Sequence, residues 1–217
     1  MDHWLNAGTE QERIHKLVSL GFAEDEAQLA VQDLVQWQPI RSESRHGLAI
    51  LFVPCGGLAS ASLYLLERGD RGWHVKDSVG FDCHYDDSVS FETVPLRNSN
   101  VDDVLVHHEC EGHGTGILQQ NFNVFIVTSG KFKIVLNTEE VVNGSALPVG
   151  SYELRQRSKF TALPGAGIIL ETRCTNVNGR VSIQDRQFKW HASRSRFRPS
   201  RFVMNGAIAK KMGAVCR

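Results

Sequence analysis

The stretch "VLVHHECEGHGTG", Val104 to Gly116, sets three histidines, one cysteine and two glutamates within seven residues. Imidazole, thiolate and carboxylate are the side chains that bind zinc, exchange protons near neutrality or act as nucleophiles. A helical zinc-protease motif needs H-E-x-x-H, so that two histidines share one helix face. Here "HECEGH" places His108 and His113 five apart, and Gly112, Gly114 and Gly116 oppose a helix. Val104, Leu105 and Val106 favour a strand instead, with side chains alternating between faces. Val104, Val106, His108 and Cys110 then share a face that reads as core. Leu105, His107 and Glu109 share the other, which reads as wetter. His107 and Glu109 are thus placed to hold a metal or to perform acid–base work.

A second polar knot lies upstream in "FDCHYDD", Phe81 to Asp87. The intervening strand, Ser88 to Leu96, could bring both knots to one end of a meander. Cys83, His84, His108 and Cys110 would then make a Cys₂His₂ set, which suits tetrahedral zinc. The candidate metal ligands are therefore His84, His107, His108, Glu109, Cys110 and His113, with zinc as the implied cofactor. A competing reading needs no metal. In an oxidising compartment Cys83 pairs with Cys110, Cys55 with Cys174 is the remaining pair, and Cys216 is the odd cysteine. A Cys110–His nucleophilic pair is the third alternative. Other catalytic signatures are missing: there is no G-x-S-x-G elbow, no phosphate-binding G-x-x-x-x-G-K-[ST], and no CxxC. "GAG" at Gly165 to Gly167 precedes a strand rather than a helix, so it is no dinucleotide site. The stretch around His108 is read as a strand running into a glycine-rich loop.

The basic residues form a third constellation. Residues 1–179 carry 14 Lys and Arg against 23 Asp and Glu, whereas residues 180–217 carry 10 against 1. Arg186, Lys189, Arg194, Arg196, Arg198 and Arg201 interleave with Phe188, Trp190, Phe197 and Phe202. On strands, the aromatics face one way and the cations the other. Either this is a hairpin with an aromatic inner face and a solvated basic outer face, or it is a platform for an anionic ligand. The net charge of zero excludes a general electrostatic nucleic-acid binder.

These residues need elements to position them. Thr9 and Glu12 form a T-x-x-E capping box ahead of Ile14, Leu17, Val18 and Phe22, and Gly21 ends that helix. A second helix is expected from about Glu24 to Trp37, with Ala27, Val31, Leu34 and Val35 on one side and Pro39 stopping it. The segment "IHKLVSLGFAEDEAQLAV" resembles the first two helices of a ubiquitin-associated domain, whose connecting turn is Met-Gly-Phe-like and here is Leu20, Gly21 and Phe22. The resemblance implies ubiquitin binding through Leu20 and Phe22. It covers only this short segment, and no third helix follows before the strands begin.

From Leu48 the pattern is strands. "GLAILFVPCGGLASASLYLL", Gly47 to Leu66, is long and uncharged, but Pro54, Gly56 and Gly57 break it into two strands around a turn rather than a membrane span. Gly69 to Gly72 forms a hairpin turn whose Arg-Gly-Asp letters carry no weight at a tip. "NFNVFIVTSGKFKIVLN" is the strongest hairpin, turning at Ser129 and Gly130. Phe122, Val124 and Ile126 share one face of it, and Phe132, Ile134 and Leu136 share one face of its partner. Further strands are expected at Ser151–Phe160, Gly167–Thr175, Arg180–His191 and Arg196–Val203.

The expected fold is mainly β, an antiparallel meander closing as a sandwich, barrel or small propeller, with an N-terminal helical hairpin. The expected organisation is a hairpin over residues 1–40 and a β domain over 41–217. The expected function is non-catalytic binding of another protein or an anionic ligand. The alternatives are a metal-dependent protein built on the His107–His113 cluster and an anion-binding module built on the C-terminal arginines. The start of the chain reads as polar and helical, with no signal peptide. The strand segments resemble those of exported bacterial β proteins, and the expected location is extracytoplasmic, periplasmic or secreted.

Overall fold

The computed structural model describes residues 2–32, 34–42, 47–55, 60–82, 87–98, 100–112, 117–144, 155–163, 167–175 and 181–204. It is an antiparallel β protein with short helices at its N-terminus. The helices are α1 (Asp2–Asn6), α2 (Glu10–Ser19) and α3 (Glu24–Ala30). Strands β1 (Gln36–Ile40), β2 (Leu48–Val53), β3 (Ser60–Gly69) and β4 (Gly72–Asp82) form one sheet in that order. The larger sheet runs in sequence order through β5 (Ser88–Asn98), β6 (Val101–Gly112), β7 (Ile117–Thr128), β8 (Lys131–Gly144), β9 (Arg155–Leu163), β10 (Gly167–Thr175), β11 (Val181–His191) and β12 (Arg196–Met204). Every pairing is antiparallel between sequence neighbours, so the whole β body is a meander.

The larger sheet folds over on itself. β8 and β9 share the single pair Asn143 and Arg155, whereas their other neighbours pair along their length. β5 touches β9 and β10, and β12 touches β8. Half-sheet β5–β8 therefore has packing partners on both faces. One side packs against the four-stranded sheet through Ile50, Phe52, Leu63 and Leu65 above Val104, Val106 and Phe125. The other side packs against β10, β11 and β12 through Leu105, Phe122, Val124 and Ile126 below Ile168, Phe188 and Phe197. A third core lies between the helices and the outer face of the four-stranded sheet, joining Leu17, Leu20, Phe22 and Ala27 to Leu51, Val53 and Leu66. Each such aliphatic or aromatic side chain contributes about 1.5–3 kcal/mol when fully removed from water.

Local signals explain the helices. Thr9 accepts from the Glu12 backbone N–H, and Glu12 accepts from the Thr9 N–H at 2.7 Å, closing the capping box. The second helix, however, is about two turns shorter than the hydrophobic spacing predicts. It stops at Ala30, Leu34 is solvent-exposed, and Trp37 and Pro39 lie in β1. The reason is tertiary. β1 is an edge strand, where a residue without an N–H is tolerated, and Trp37 packs edge-on to Trp73 with centroids 4.7 Å apart. Asn6 secures the link by bonding both the N–H and the C=O of Val35. The boundary at residue 40 falls at the end of β1, in a strand continuous with the sheet that follows.

The helical turn that resembles a ubiquitin-associated domain is turned inward. Leu20 and Phe22 are each 4% exposed. Phe22 packs on Tyr64 of β3, and the Leu20 carbonyl accepts from the Val75 N–H of β4 at 2.8 Å. The two side chains that would touch ubiquitin are part of the core, so that implication of the resemblance fails for burial. No described helix is long and apolar enough to cross a membrane. Gly47 to Leu66 spans β2 and the first part of β3.

Candidate functional site

β6 carries the histidine-rich stretch as a strand to Gly112, and His113 lies outside the described residues. One face is as expected: Val104, Val106 and His108 are buried toward the four-stranded sheet. The other face is not wet. Leu105 is buried, His107 is half-buried, and His107 stacks on Phe122 with centroids 4.6 Å apart and planes 3° from parallel. The error is one of layers: alternation suits a strand with one solvated face, whereas β6 is sandwiched between two others. Burial lowers the His107 pKa, with the His108 charge adding to this and the Glu109 carboxylate opposing it. His107 Nε2 is buried without a hydrogen-bond partner among the described residues.

His108 lies on the opposite side of the strand, with its Nε2 3.8 Å from Asp87 Oδ2 and its ring edge-on to Phe81. Adjacent strand residues point apart, so His107 and His108 do not converge on one ion. Of the Cys₂His₂ set, only His108 has a described side chain; Cys83, His84 and the Cys110 side chain lie outside the described residues. Among the described residues, no three His, Cys, Asp or Glu side chains gather as metal ligands would. Cys55 is half-buried just beyond β2 and packs on the core between the two sheets. The Cys174 side chain also lies outside the described residues.

The basic hairpin is partly described. Lys189, Arg194 and Arg196 are exposed and Arg198 is intermediate, while the side chains of Arg186 and Arg201 lie outside the described residues. Phe188 and Phe197 are buried, and Trp190 packs on Phe197 at 5.2 Å. These aromatics belong to the core, and Arg97 of β5 sits over the Trp190 ring at 5.6 Å.

Arg97 and its neighbour show how the sheets are pinned. Arg97 Nε bonds Asp103 Oδ1 at 2.6 Å, and Asp103 is fully buried. Burial pushes the Asp103 carboxyl up, against the lowering by the Arg97 charge and hydrogen bonds. Next door, Arg41 grips Asp102 through its backbone N–H and guanidinium, at 2.7 Å for Nη2. Burial would raise the Asp102 carboxyl, but the Arg41 side-chain bonds, backbone N–H and charge together hold it below its ordinary value. This pair clamps the segment after β1 to β6.

A concavity lies away from both the histidine stretch and the basic hairpin. It is a cleft of about 530 Å³ between β4 and the β7–β8 hairpin. Its floor is Asn123, Phe125, Phe132 and Ile134, its wall is Asp77 to Phe81, and Lys131 stands at the rim. Asp77 Oδ2 accepts from the Phe132 N–H at 2.7 Å, tying wall to floor. Ile134 is 49% exposed although it lies on a face that elsewhere is core. The sequence placed Phe132, Ile134 and Leu136 together, but Leu136 is in the opposite core. Val124 pairs with Leu136 and Phe125 with Ile134, leaving Val135 as a bulge that reverses the alternation. The cleft was legible only as two apolar residues on a hairpin; no sequence signal shows that the covering sheet stops short of them.

No family model matches the chain, and no curated protein or solved structure shows a significant similarity to it.

Proposed function

We propose that this is a non-catalytic binding protein whose ligand sits in the cleft between β4 and the β7–β8 hairpin. The observation that carries this reading is the apolar floor left open to solvent at Phe132 and Ile134, beside the polar groups of Asp77, Asn123 and Lys131. A mostly apolar concavity of several hundred Å³ with a few fixed polar groups has the make-up of a ligand site. The location we propose is extracytoplasmic.

The test is methyl NMR of the Ile, Leu and Val side chains during a fragment screen. Fragments should shift the Ile134 methyls, and Ile134→Lys should abolish binding. Because Ile134 is half-exposed, the same substitution should change folding stability by no more than about 0.5 kcal/mol. Shifts centred on Val104 and Val106 with added zinc, and none at Ile134, would transfer the site to the histidine stretch.

A second reading is anion binding at the β11–β12 end, supported by the exposed cations Lys189, Arg194 and Arg196. It predicts affinity for a sulfated glycan that falls steeply with salt.

A further inference from the structure

We infer that the cleft takes an extended peptide segment of a partner protein, added as a fifth strand beside β4 and carrying an acidic side chain opposite Lys131. This rests on the cleft being the binding site.

The inference begins from unequal coverage. The four-stranded sheet lies over half-sheet β5–β8, and the contacts show how far it reaches. Gln38 of β1 bonds Thr93 of β5, and Phe52 of β2 packs on Phe91 of β5. Phe81 of β4 packs on Phe125 of β7 at 6.1 Å. Contact with β8 is made at the hairpin end, through Asp77 and the Phe132 N–H. Beyond that edge the lower layer continues, and Ile134 of β8 is left half-exposed. The upper layer leaves this part of β8 uncovered.

The missing cover is specified by the edge itself. Among the described residues β4 pairs in the sheet only with β3. The Val75 N–H of its outer edge is already taken by the Leu20 carbonyl, so the stretch offered to another chain is the one along the cleft, Ser78 to Gly80. An edge strand of this kind is a template for another extended chain. β4 runs from Gly72 to Asp82 without proline, whereas the opposite edge strand, β1, carries Pro39. A strand laid beside β4 would sit above β8, with alternate side chains directed onto Phe132 and Ile134 and the rest into solvent. A rounded small molecule would satisfy the floor but not the edge.

Charge chooses the partner's chemistry. The Asp77 carboxylate accepts from Phe132, and Lys76 is paired with Glu67 at 3.2 Å. Lys131 lines the cleft and is exposed. An acidic residue in the incoming strand would meet it.

The experiment selects a phage-displayed library of random nonapeptides against the full-length chain. The enriched peptides should alternate apolar residues and contain Asp or Glu. Bound peptide should slow amide hydrogen exchange in residues 72–82. N-methylation of alternate peptide amides should abolish binding while leaving the protein untouched. Lys131→Glu should weaken an acidic peptide by about tenfold, and a peptide with Lys in place of its acid should recover the loss, as one ion pair would require. Enriched peptides that leave exchange at 72–82 unchanged overturn the inference. So does a concentration-dependent dimer that protects β4 without peptide, which gives the edge to a second copy of this chain. Failure to enrich any peptide, with fragments still shifting Ile134, overturns strand addition but leaves the cleft as a binding site. If the fragments also fail, both readings fall.

Discussion

At the scale of single residues, burial decides which polar groups matter to the fold. Asp103 is fully buried and its partner Arg97 is 17% exposed, whereas Arg41 in the neighbouring pair is 57% exposed. Removing one member of a buried pair strands the other without water. Asp103→Ala should therefore cost about 3–5 kcal/mol, while Arg41→Ala, which removes an exposed guanidinium and leaves the backbone N–H on Asp102, should cost clearly less, both read by urea denaturation. His107 titrates against the fold. Its pKa is lowered by burial, so the unfolded chain binds a proton more readily than the folded one. Its contribution is fully present above the unfolded pKa of about 6.5 and is lost as the pH falls through that value toward the folded pKa. The denaturation midpoint should fall between pH 8 and pH 5, and His107→Phe should flatten that fall. An equally steep profile in the variant would show that other groups carry the acid sensitivity.

At the scale of elements, turn geometry and bulges determine which side chains meet. The β7–β8 turn has Ser129 at φ 52° and Gly130 at φ 70°, the left-handed pair that matches strand twist. Gly167 opens β10 at φ 121°, and a Cβ there would overlap the Phe188 carbonyl of β11. Gly130→Val should cost about 1–2 kcal/mol through strain at the turn alone. Gly167→Ala should cost more, about 2–4 kcal/mol, because backbone must also move. Thermal melts of the two variants check the order; a Gly167→Ala protein as stable as wild type would mean that β10 and β11 are farther apart. The Ser129-Gly130 turn was legible because a two-residue loop between alternating apolar runs has one favoured solution. The Val135 bulge was not, because an extra apolar residue looks the same on either face.

At the scale of the molecule, the helices and strands stack as layers, each closing the next. Leu51, Val53 and Leu66 of the four-stranded sheet are covered by α2 and α3. The N-terminal segment is thus the outer wall of a shared core. Deleting residues 1–35 should expose those side chains and yield a chain that aggregates or unfolds without cooperativity, seen by light scattering and near-UV circular dichroism. A soluble, cooperatively folding 36–217 fragment would show that the β body stands alone.

Period and turn chemistry were enough to reveal a β meander behind a helical hairpin, because strand alternation, capping boxes and hairpin turns are local. The strand at His108, the hairpin at Gly130 and the cap at Thr9 all rest on residues close in sequence. Only the tertiary structure decided that β6 is covered on both faces, that Leu20 and Phe22 point inward, and that Trp37 belongs to a strand. It alone shows Ile134 half-exposed in a cleft beside β4. Those outcomes depend on how many layers stack and how wide each is, and contacts between residues distant in sequence set both.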